Sequence, residues 1–149
     1  MRSRQTTPLA TAVLLVGYLS STPVTAPGSL GSFELSTPQV RQALVEPTSC
    51  TGGDRQLFLG ADLKDEKSGM VIRLVVNPLE GPAVRAFAAA KPFEESLVFH
   101  RSDCRTFHFS LESTALRINR IQDYRFSLEL DCAVGDATLR GTALAAHCH

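Results

Sequence analysis

The chain has 149 residues, four of them cysteine, and its 15 basic side chains are balanced by 15 acidic ones. Lysine and arginine are scattered along it and form no run, which excludes a protein that binds nucleic acid or an anionic membrane through a basic surface. A chain of this length, less a leader, forms one domain with one hydrophobic core.

Residues 1–28 have the pattern of a secretory signal peptide. Arg2 and Arg4 precede an apolar run at 9–19, which small residues and prolines follow. A positive start, roughly 7–15 apolar residues and a small-residue end direct a chain to export and are then removed. The run is well short of the about 20 residues that span a bilayer. We therefore expect export, and no membrane span once the signal is removed.

Several cleavage points fit between residues 21 and 28, so the mature start stays open. The mature part, residues 29–149, carries 13 basic and 15 acidic side chains and a net charge of −2. Thiols pair in the oxidising compartments that lie beyond the cytosol. We expect a single disulfide-linked β domain at 29–149, either secreted or periplasmic.

A short helix is predicted near the start of the mature domain. Thr37 can cap it, Pro38 fits its first turn, and Val40 and Leu44 would share one apolar face. Pro47 would end it. At under three turns, such a helix persists only if it packs against the rest of the domain.

After the first cysteine the hydrophobic pattern changes to the period of two that is typical of β-strands. The clearest alternation lies at 105–112 and 124–132, where each segment has one apolar and one polar face. The segment 83–91 is rich in alanine and permits a helix, but strands on both sides favour a strand. The predicted strands are 55–63, 70–76, 83–91, 96–100, 105–112, 116–121, 124–132 and 137–146.

Many short strands separated by turns, with little helix, are typical of an antiparallel sandwich or a small barrel. We therefore predict an all-β, mostly antiparallel fold. Its architecture is a small β-sandwich or barrel-like meander with one short N-terminal helix. Hairpins between successive strands are the simplest topology for this fold.

Three disulfide pairings are possible for the four cysteines, which are Cys50, Cys104, Cys132 and Cys148. If the last two predicted strands are straight, Cys132 and Cys148 lie roughly 35 Å apart, whereas a disulfide needs Cα atoms within about 7 Å. Cys104 and Cys132 close the outer ends of two neighbouring strands. We therefore favour Cys104–Cys132 together with Cys50–Cys148, and the second bond would contribute roughly 2–5 kcal/mol.

The favoured Cys104–Cys132 bond requires an irregularity in its strands. Phe107 and Leu128 must face the same side of the sheet, so the numbers of directly paired residues add up to an odd total. The numbers of the two cysteines add up to an even total. A β-bulge or a strand end is therefore needed beside them.

His147 and His149 are candidate metal ligands, because residues two apart on a strand point to one side and two imidazoles bind copper or zinc weakly. Chain ends are often frayed, which weakens this interpretation. Asp62, Asp65 and Glu66 lie close in sequence, but a calcium loop needs a longer alternating set of oxygen ligands. We interpret them as a solvated turn and predict no metal site and no cofactor.

The segment from His100 to Asp103 contains Ser, His and Asp, yet a catalytic triad is assembled from positions distant in sequence. The G-x-S-x-G elbow of many hydrolases does not occur in the chain. The sequence therefore predicts no catalytic residue. A small secreted hydrolase or metal-dependent enzyme that uses His100, His108 or the last two histidines stays as an alternative.

The sequence thus favours a non-enzymatic module that binds an extracellular or envelope protein, or a glycan. This expectation depends on two features, the export pattern and the cysteines. The sequence shows no catalytic pattern that would favour an enzyme instead. Arg117, Arg120 and Arg125 could supply a polar recognition surface, although such residues more often solvate an outer sheet face. A structural surface protein is a further alternative.

Overall fold

The computed structural model describes residues 29–91 and 95–149, so the predicted signal peptide lies outside the described part. The connections between strands include two 3-10 turns, η1 (Gly53–Gln56) and η2 (Arg101–Asp103). Within these residues, no helix is long and apolar enough to cross a membrane.

Two five-stranded antiparallel sheets make up the domain, which confirms the all-β prediction. The strands are β1 (Gly31–Ser36), β2 (Ala43–Val45), β3 (Ser49–Gly52), β4 (Gly60–Asp65), β5 (Met70–Asn77), β6 (Gly81–Ala88), β7 (Leu97–His100), β8 (Cys104–Ile118), β9 (Ile121–Val134) and β10 (Ala137–Cys148). The first sheet has the order β2-β1-β10-β9-β8, and the second has the order β3-β4-β5-β6-β7.

The hydrophobic core lies between the two sheets and is built from the inward face of each strand. In β9, Phe126, Leu128 and Leu130 are buried, and the residues between them point outward. Phe33 of β1 and Phe99 of β7 are also fully buried. Burial of such a ring contributes roughly 1.5–3 kcal/mol, so these side chains fix the inward face of both sheets.

Of the two irregularities that the Cys104–Cys132 bond allowed, a bulge or a strand end, the structure has both, because Cys104 begins β8 and is followed by a bulge. Phe109 lies opposite Leu128 and Cys104 lies opposite Cys132, with a shift of register between Cys104 and Thr106. The structure joins the same two pairs of cysteines that strand geometry favoured. The bond between Cys104 and Cys132 lies within the first sheet.

The second disulfide joins the two sheets, and a bulge near the end of β10 makes it possible. Ala145 lies opposite Phe126, whereas Cys148 lies opposite Tyr124, so β10 has one extra residue between these pairs. Regular alternation would point Cys148 outward with the other even-numbered residues of β10. The bulge turns it inward instead, where it is bonded to Cys50 of β3.

The predicted N-terminal helix is wrong. Residues 37–42 form an irregular bend, and β2 follows at once. Thr37 does accept a hydrogen bond from the backbone N–H of Val40, at 2.9 Å, as a helix cap would. The turn goes no further, because Val45 is needed in the core as a strand residue, while Val40 and Leu44 remain exposed.

Two predicted strands also differ from the structure. The predicted strand at 55–63 begins only at Gly60, because η1 and an irregular segment occupy the preceding residues. The segment 116–121 is not a separate strand: residues 116–118 end β8, Ile121 begins β9, and Asn119 and Arg120 form the turn between them with positive φ angles. The strand predicted over 83–91 is confirmed by β6.

Candidate functional site

A charged pair lies buried on the outer face of the second sheet. Asp62 of β4 and Arg73 of β5 are directly opposite each other in the strand register. Arg73 donates from Nε to Asp62 Oδ1 at 2.6 Å and from Nη2 to Oδ2 at 2.7 Å. Gln56 of η1 donates to Asp62 at 3.2 Å and accepts from Arg73. This two-pronged contact fixes both charged groups and attaches η1 to them.

Two aromatic rings pack on the Arg73 guanidinium. Its Cζ lies 4.6 Å from the ring centroid of Phe58 and 5.4 Å from that of Phe87. A guanidinium over a ring face is attracted to the electrons of the ring. Phe58 comes from the segment before β4 and Phe87 comes from β6. Arg73 therefore attaches that segment to the outer face of the sheet.

We name residues 53–59 the leucine loop, after Leu57 and Leu59. The backbone N–H of Phe58 donates to the carbonyl of Gly53 at 3.2 Å, and a Cβ at Gly53 would lie only 2.3 Å from the Phe58 carbonyl oxygen. This close approach requires glycine. Leu57 has φ = 61°, a left-handed conformation that costs an L-residue roughly 1–2 kcal/mol. The loop therefore holds a leucine in a strained conformation.

The leucine side chains of this region are presented to solvent. Leu57 is 95% exposed and Leu59 is 51% exposed. Leu79, in the turn between β5 and β6, is 95% exposed. The N–H of Val76 donates to the carbonyl of Leu59 at 2.8 Å, so the loop and the turn lie at the same end of the second sheet. Single exposed leucines are ordinary, but three of them at one end of a sheet make this end a candidate for an interaction surface.

The leucine loop is also attached to the first sheet. Tyr124 of β9 donates its hydroxyl to the Asp54 carboxylate, with oxygen distances of 3.0 and 3.2 Å. Burial of the ring and the Asp54 carboxylate together raise the pKa of Tyr124. The loop thus has supports in both sheets, and the disulfide at Cys50 lies three residues before it.

A second buried carboxylate lies on the outer face of the first sheet. Asp123 of β9 is fully buried. His147 Nδ1 lies 3.0 Å from Asp123 Oδ2, and His149 Nδ1 lies 3.4 Å from Oδ1. Thr114 donates its hydroxyl to Oδ2 at 2.7 Å, and the N–H of Cys148 donates to Oδ1 at 3.0 Å. We name these residues the Asp123 cluster.

The contacts of the Asp123 cluster favour the ionised carboxylate. The hydrogen bond with His147, helped by the hydroxyl of Thr114 and the N–H of Cys148, holds the pKa of Asp123 far below its usual range despite burial. Each bond stabilises negative charge on an oxygen that water does not reach. The cluster therefore keeps a negative charge inside the end of the first sheet.

The structure does not bring the three acidic residues of the first hairpin together as a metal site. Asp62 pairs with the guanidinium described above, and Glu66 is exposed. Asp65 is buried and accepts hydrogen bonds from the Ser68 hydroxyl and from the N–H groups of Glu46 and Lys67. Burial opposes its ionisation, but these bonds prevail and lower the pKa of Asp65. Asp65 thus fixes a turn, as predicted, but the prediction that the turn is solvated is wrong for Asp62 and Asp65, which are both buried.

The other candidate residues lie apart. Asp103 accepts a hydrogen bond from the backbone N–H of His100 at 2.8 Å and so caps η2. His108 lies on the outer face of β8, 3.6 Å from Glu129. Arg117 donates to Gln122 within the β8–β9 hairpin at 3.2 Å. Arg120 is in the turn of that hairpin, and Arg125 lies opposite Glu112.

Comparison of the chain with protein-family models, with curated proteins and with solved structures gave no match. The functional argument therefore depends on the geometry of this molecule.

Sequence reasoning missed three residues that matter here. Arg73 is a lone charge in an apolar strand, and the pairing of its strand with β4 could have indicated Asp62 as its partner. No feature of the sequence indicates that Leu57 is exposed. The alternating pattern of residues 55–63 predicted a strand, whereas Leu57 lies in a loop. No feature of the sequence indicates the role of Asp123 either. Its contact with the histidines depends on the bulge in β10, which the sequence does not reveal.

Proposed function

We propose that this protein is an exported, disulfide-linked β-sandwich that binds a partner protein through the leucine loop. The observation that carries the proposal is the state of Leu57, which is 95% exposed and left-handed within a loop fixed from both sheets. Strained backbone persists only where the surrounding structure enforces it, and such strain is concentrated at functional sites.

The supports of the loop explain why it would bind well. The contacts of Gln56 and Phe58 with Arg73, and of Asp54 with Tyr124, order the loop before a partner arrives. A preformed loop does not lose further conformational entropy on binding. Exposed leucines then gain free energy from burial, at about 25 cal/mol per Å² of apolar surface.

Export is part of the proposal and is supported by two features. Residues 1–28 have the charge and hydropathy pattern of a signal peptide. All four cysteines are joined in disulfides, and such bonds persist in the oxidising surroundings of the periplasm or the cell exterior. The partner is accordingly an extracellular or envelope protein.

The test compares wild type with Leu57→Asn, because asparagine removes the apolar side chain and tolerates the left-handed conformation. Leu144→Asn is the matched control, since Leu144 is 65% exposed on the outer face of the other sheet. Tagged proteins at native expression levels are used to capture partners from the envelope and extracellular fractions. We expect wild type and control to recover one protein equally, and Leu57→Asn to recover about tenfold less.

Three outcomes overturn the proposal. Equal recovery by Leu57→Asn would show that the loop is not the contact, and an equal loss in the Leu144→Asn control would show that any exposed leucine behaves alike. Recovery of a glycan in place of a protein also contradicts it. Circular dichroism of each variant, with the wild-type spectrum as reference, shows that the fold is retained.

A further inference from the structure

The Asp123 cluster has a chemistry of its own, separate from the leucine loop. His147 and His149 lie at the end of β10, with 63% and 41% of their side chains exposed. Their Nδ1 atoms lie against the two oxygens of one buried carboxylate. In each ring, Nδ1 therefore faces the carboxylate, and the second nitrogen, Nε2, is directed away from it.

Asp123 decides which nitrogen of each imidazole carries the proton. The two Nδ1 atoms lie 3.0 and 3.4 Å from carboxylate oxygens that already accept from Thr114 and Cys148, so this arrangement favours Nδ1 as the donor of each ring. In the neutral imidazole this leaves the lone pair on Nε2. A histidine that donates from one nitrogen to a carboxylate and offers the other to a metal ion is the usual arrangement at protein metal sites.

The rest of the cluster fixes the two histidines before any ligand binds. Thr114 and the N–H of Cys148 occupy the remaining positions around the Asp123 carboxylate. The sulfur of Cys148, which lies between the histidines in sequence, is bonded to Cys50. After the β10 bulge, both rings lie against the same carboxylate, that of Asp123. A site whose supporting groups are already ordered binds its ion more tightly.

We propose that His147 and His149 bind one divalent transition-metal ion through their Nε2 atoms, with Asp123 as the positioning residue. Imidazole suits copper, nickel and zinc, and the affinity order favours Cu²⁺ over Ni²⁺ and Zn²⁺. The described residues contain no group of three His, Cys, Asp or Glu that could enclose a metal ion. Solvent therefore completes the coordination, and the ion stays open to exchange.

Titration calorimetry with Cu²⁺ on the purified, disulfide-bonded protein tests the proposal. The variant His147→Ala/His149→Ala is compared with His100→Ala/His108→Ala, which removes the two other histidines of the chain. We expect wild type and the control pair to bind one ion per chain with equal Kd. The first pair should lose that binding or raise the Kd at least about tenfold. Pulsed electron paramagnetic resonance should detect two imidazole nitrogens on the bound Cu²⁺.

The role of Asp123 is tested separately. Asp123→Asn should raise the Kd for Cu²⁺ about 10- to 100-fold, the usual effect of losing a carboxylate behind a ligating histidine. Thr114→Val, which removes one support of that carboxylate, gives the same test should Asp123→Asn unfold. Unchanged Cu²⁺ binding in the His147→Ala/His149→Ala variant, or an equal loss in the control pair, overturns the proposal.

Discussion

Each sheet carries one outward-facing aspartate that is nevertheless buried, and the two carboxylates are stabilised by different groups. Asp62 is held by the guanidinium of Arg73 through two hydrogen bonds, one to each carboxylate oxygen. Asp123 is held by two imidazoles, a hydroxyl and a backbone N–H. The first arrangement is an ion pair between two charged side chains, whereas the second contains imidazole rings, the side chains that most often ligate metal ions.

The difference matches the use that each surface could have. Arg73 supports a rigid loop, and a loop that must keep its shape benefits from a permanent ion pair. The imidazoles over Asp123 are partly exposed and are therefore open to solvent. Two carboxylates that are buried to the same degree thus differ in chemistry according to their partners.

The largest expected effect comes from the disulfide beside the Asp123 cluster. The change Cys50→Ala/Cys148→Ala opens a link between residues 98 apart and should lower the free energy of unfolding by about 4–5 kcal/mol. Cys104→Ala/Cys132→Ala, whose residues are 28 apart, should cost about 1 kcal/mol less. Urea denaturation of both variants checks the order, and a reversed order would contradict this account.

Breaking the ion pair of the second sheet should have the next largest effect. Asp62→Ala leaves Arg73 without its carboxylate and should cost about 3 kcal/mol, near the lower end for a buried pair because 16% of the Arg73 side chain is exposed. The double change Asp62→Leu/Arg73→Leu leaves no unpaired charge and should recover most of that loss. Urea unfolding measures both, and a cost below about 1 kcal/mol for the single change would show that the pair is unimportant.

Low pH should reduce the contribution of Asp123 to the stability of the fold. The pKa of Asp123 is lowered in the folded protein, so the unfolded chain binds the proton more tightly and stability rises with pH. The contribution of Asp123 to the free energy of unfolding is complete above pH 3.8, the ordinary pKa of an aspartate in the unfolded chain. It is lost progressively as the pH falls below that value. Urea unfolding between pH 5 and 2 should thus show a shallower decline for Asp123→Asn than for wild type. Glu66→Gln, which removes an exposed carboxylate, is the control and should keep the wild-type slope.

The smallest effect has the opposite sign. Leu57→Gly relieves the left-handed strain and should raise the melting temperature, because it stabilises the fold by about 1 kcal/mol. Leu59→Gly, in the same loop, carries no positive φ and should destabilise or leave stability unchanged. Differential scanning calorimetry distinguishes the two. A fall in melting temperature for Leu57→Gly would mean that the loop is not strained there.

Much of the fold followed from the sequence because its signals are local and repeated. The alternation in β8 and β9 predicted both strands and their inward faces, and the parity of the cysteine numbers predicted an irregularity, a bulge or a strand end, beside Cys104. The helix prediction failed because it depended on a local signal alone. Thr37 does cap a turn, but the core required Val45 on a strand, and tertiary packing prevailed over the local signal.

The candidate sites were largely hidden from the sequence. The left-handed conformation of Leu57 depends on a contact between Gly53 and Phe58 that alternation does not show. The Asp123 cluster depends on one extra residue in β10, which reverses the direction of every side chain after it. A bulge of this kind has no reliable sequence signature. The histidines could be seen as ligands, but not the carboxylate behind them.

Site-specific photo-crosslinking tests the central claim most directly. A photoreactive residue at position 57 is compared, in the cells that produce the protein, with the same residue at position 144 on the other sheet. The binding role of the leucine loop predicts one discrete cross-linked protein of fixed mass from position 57 and none from position 144. Identical products from both positions, or no product from position 57, would contradict it.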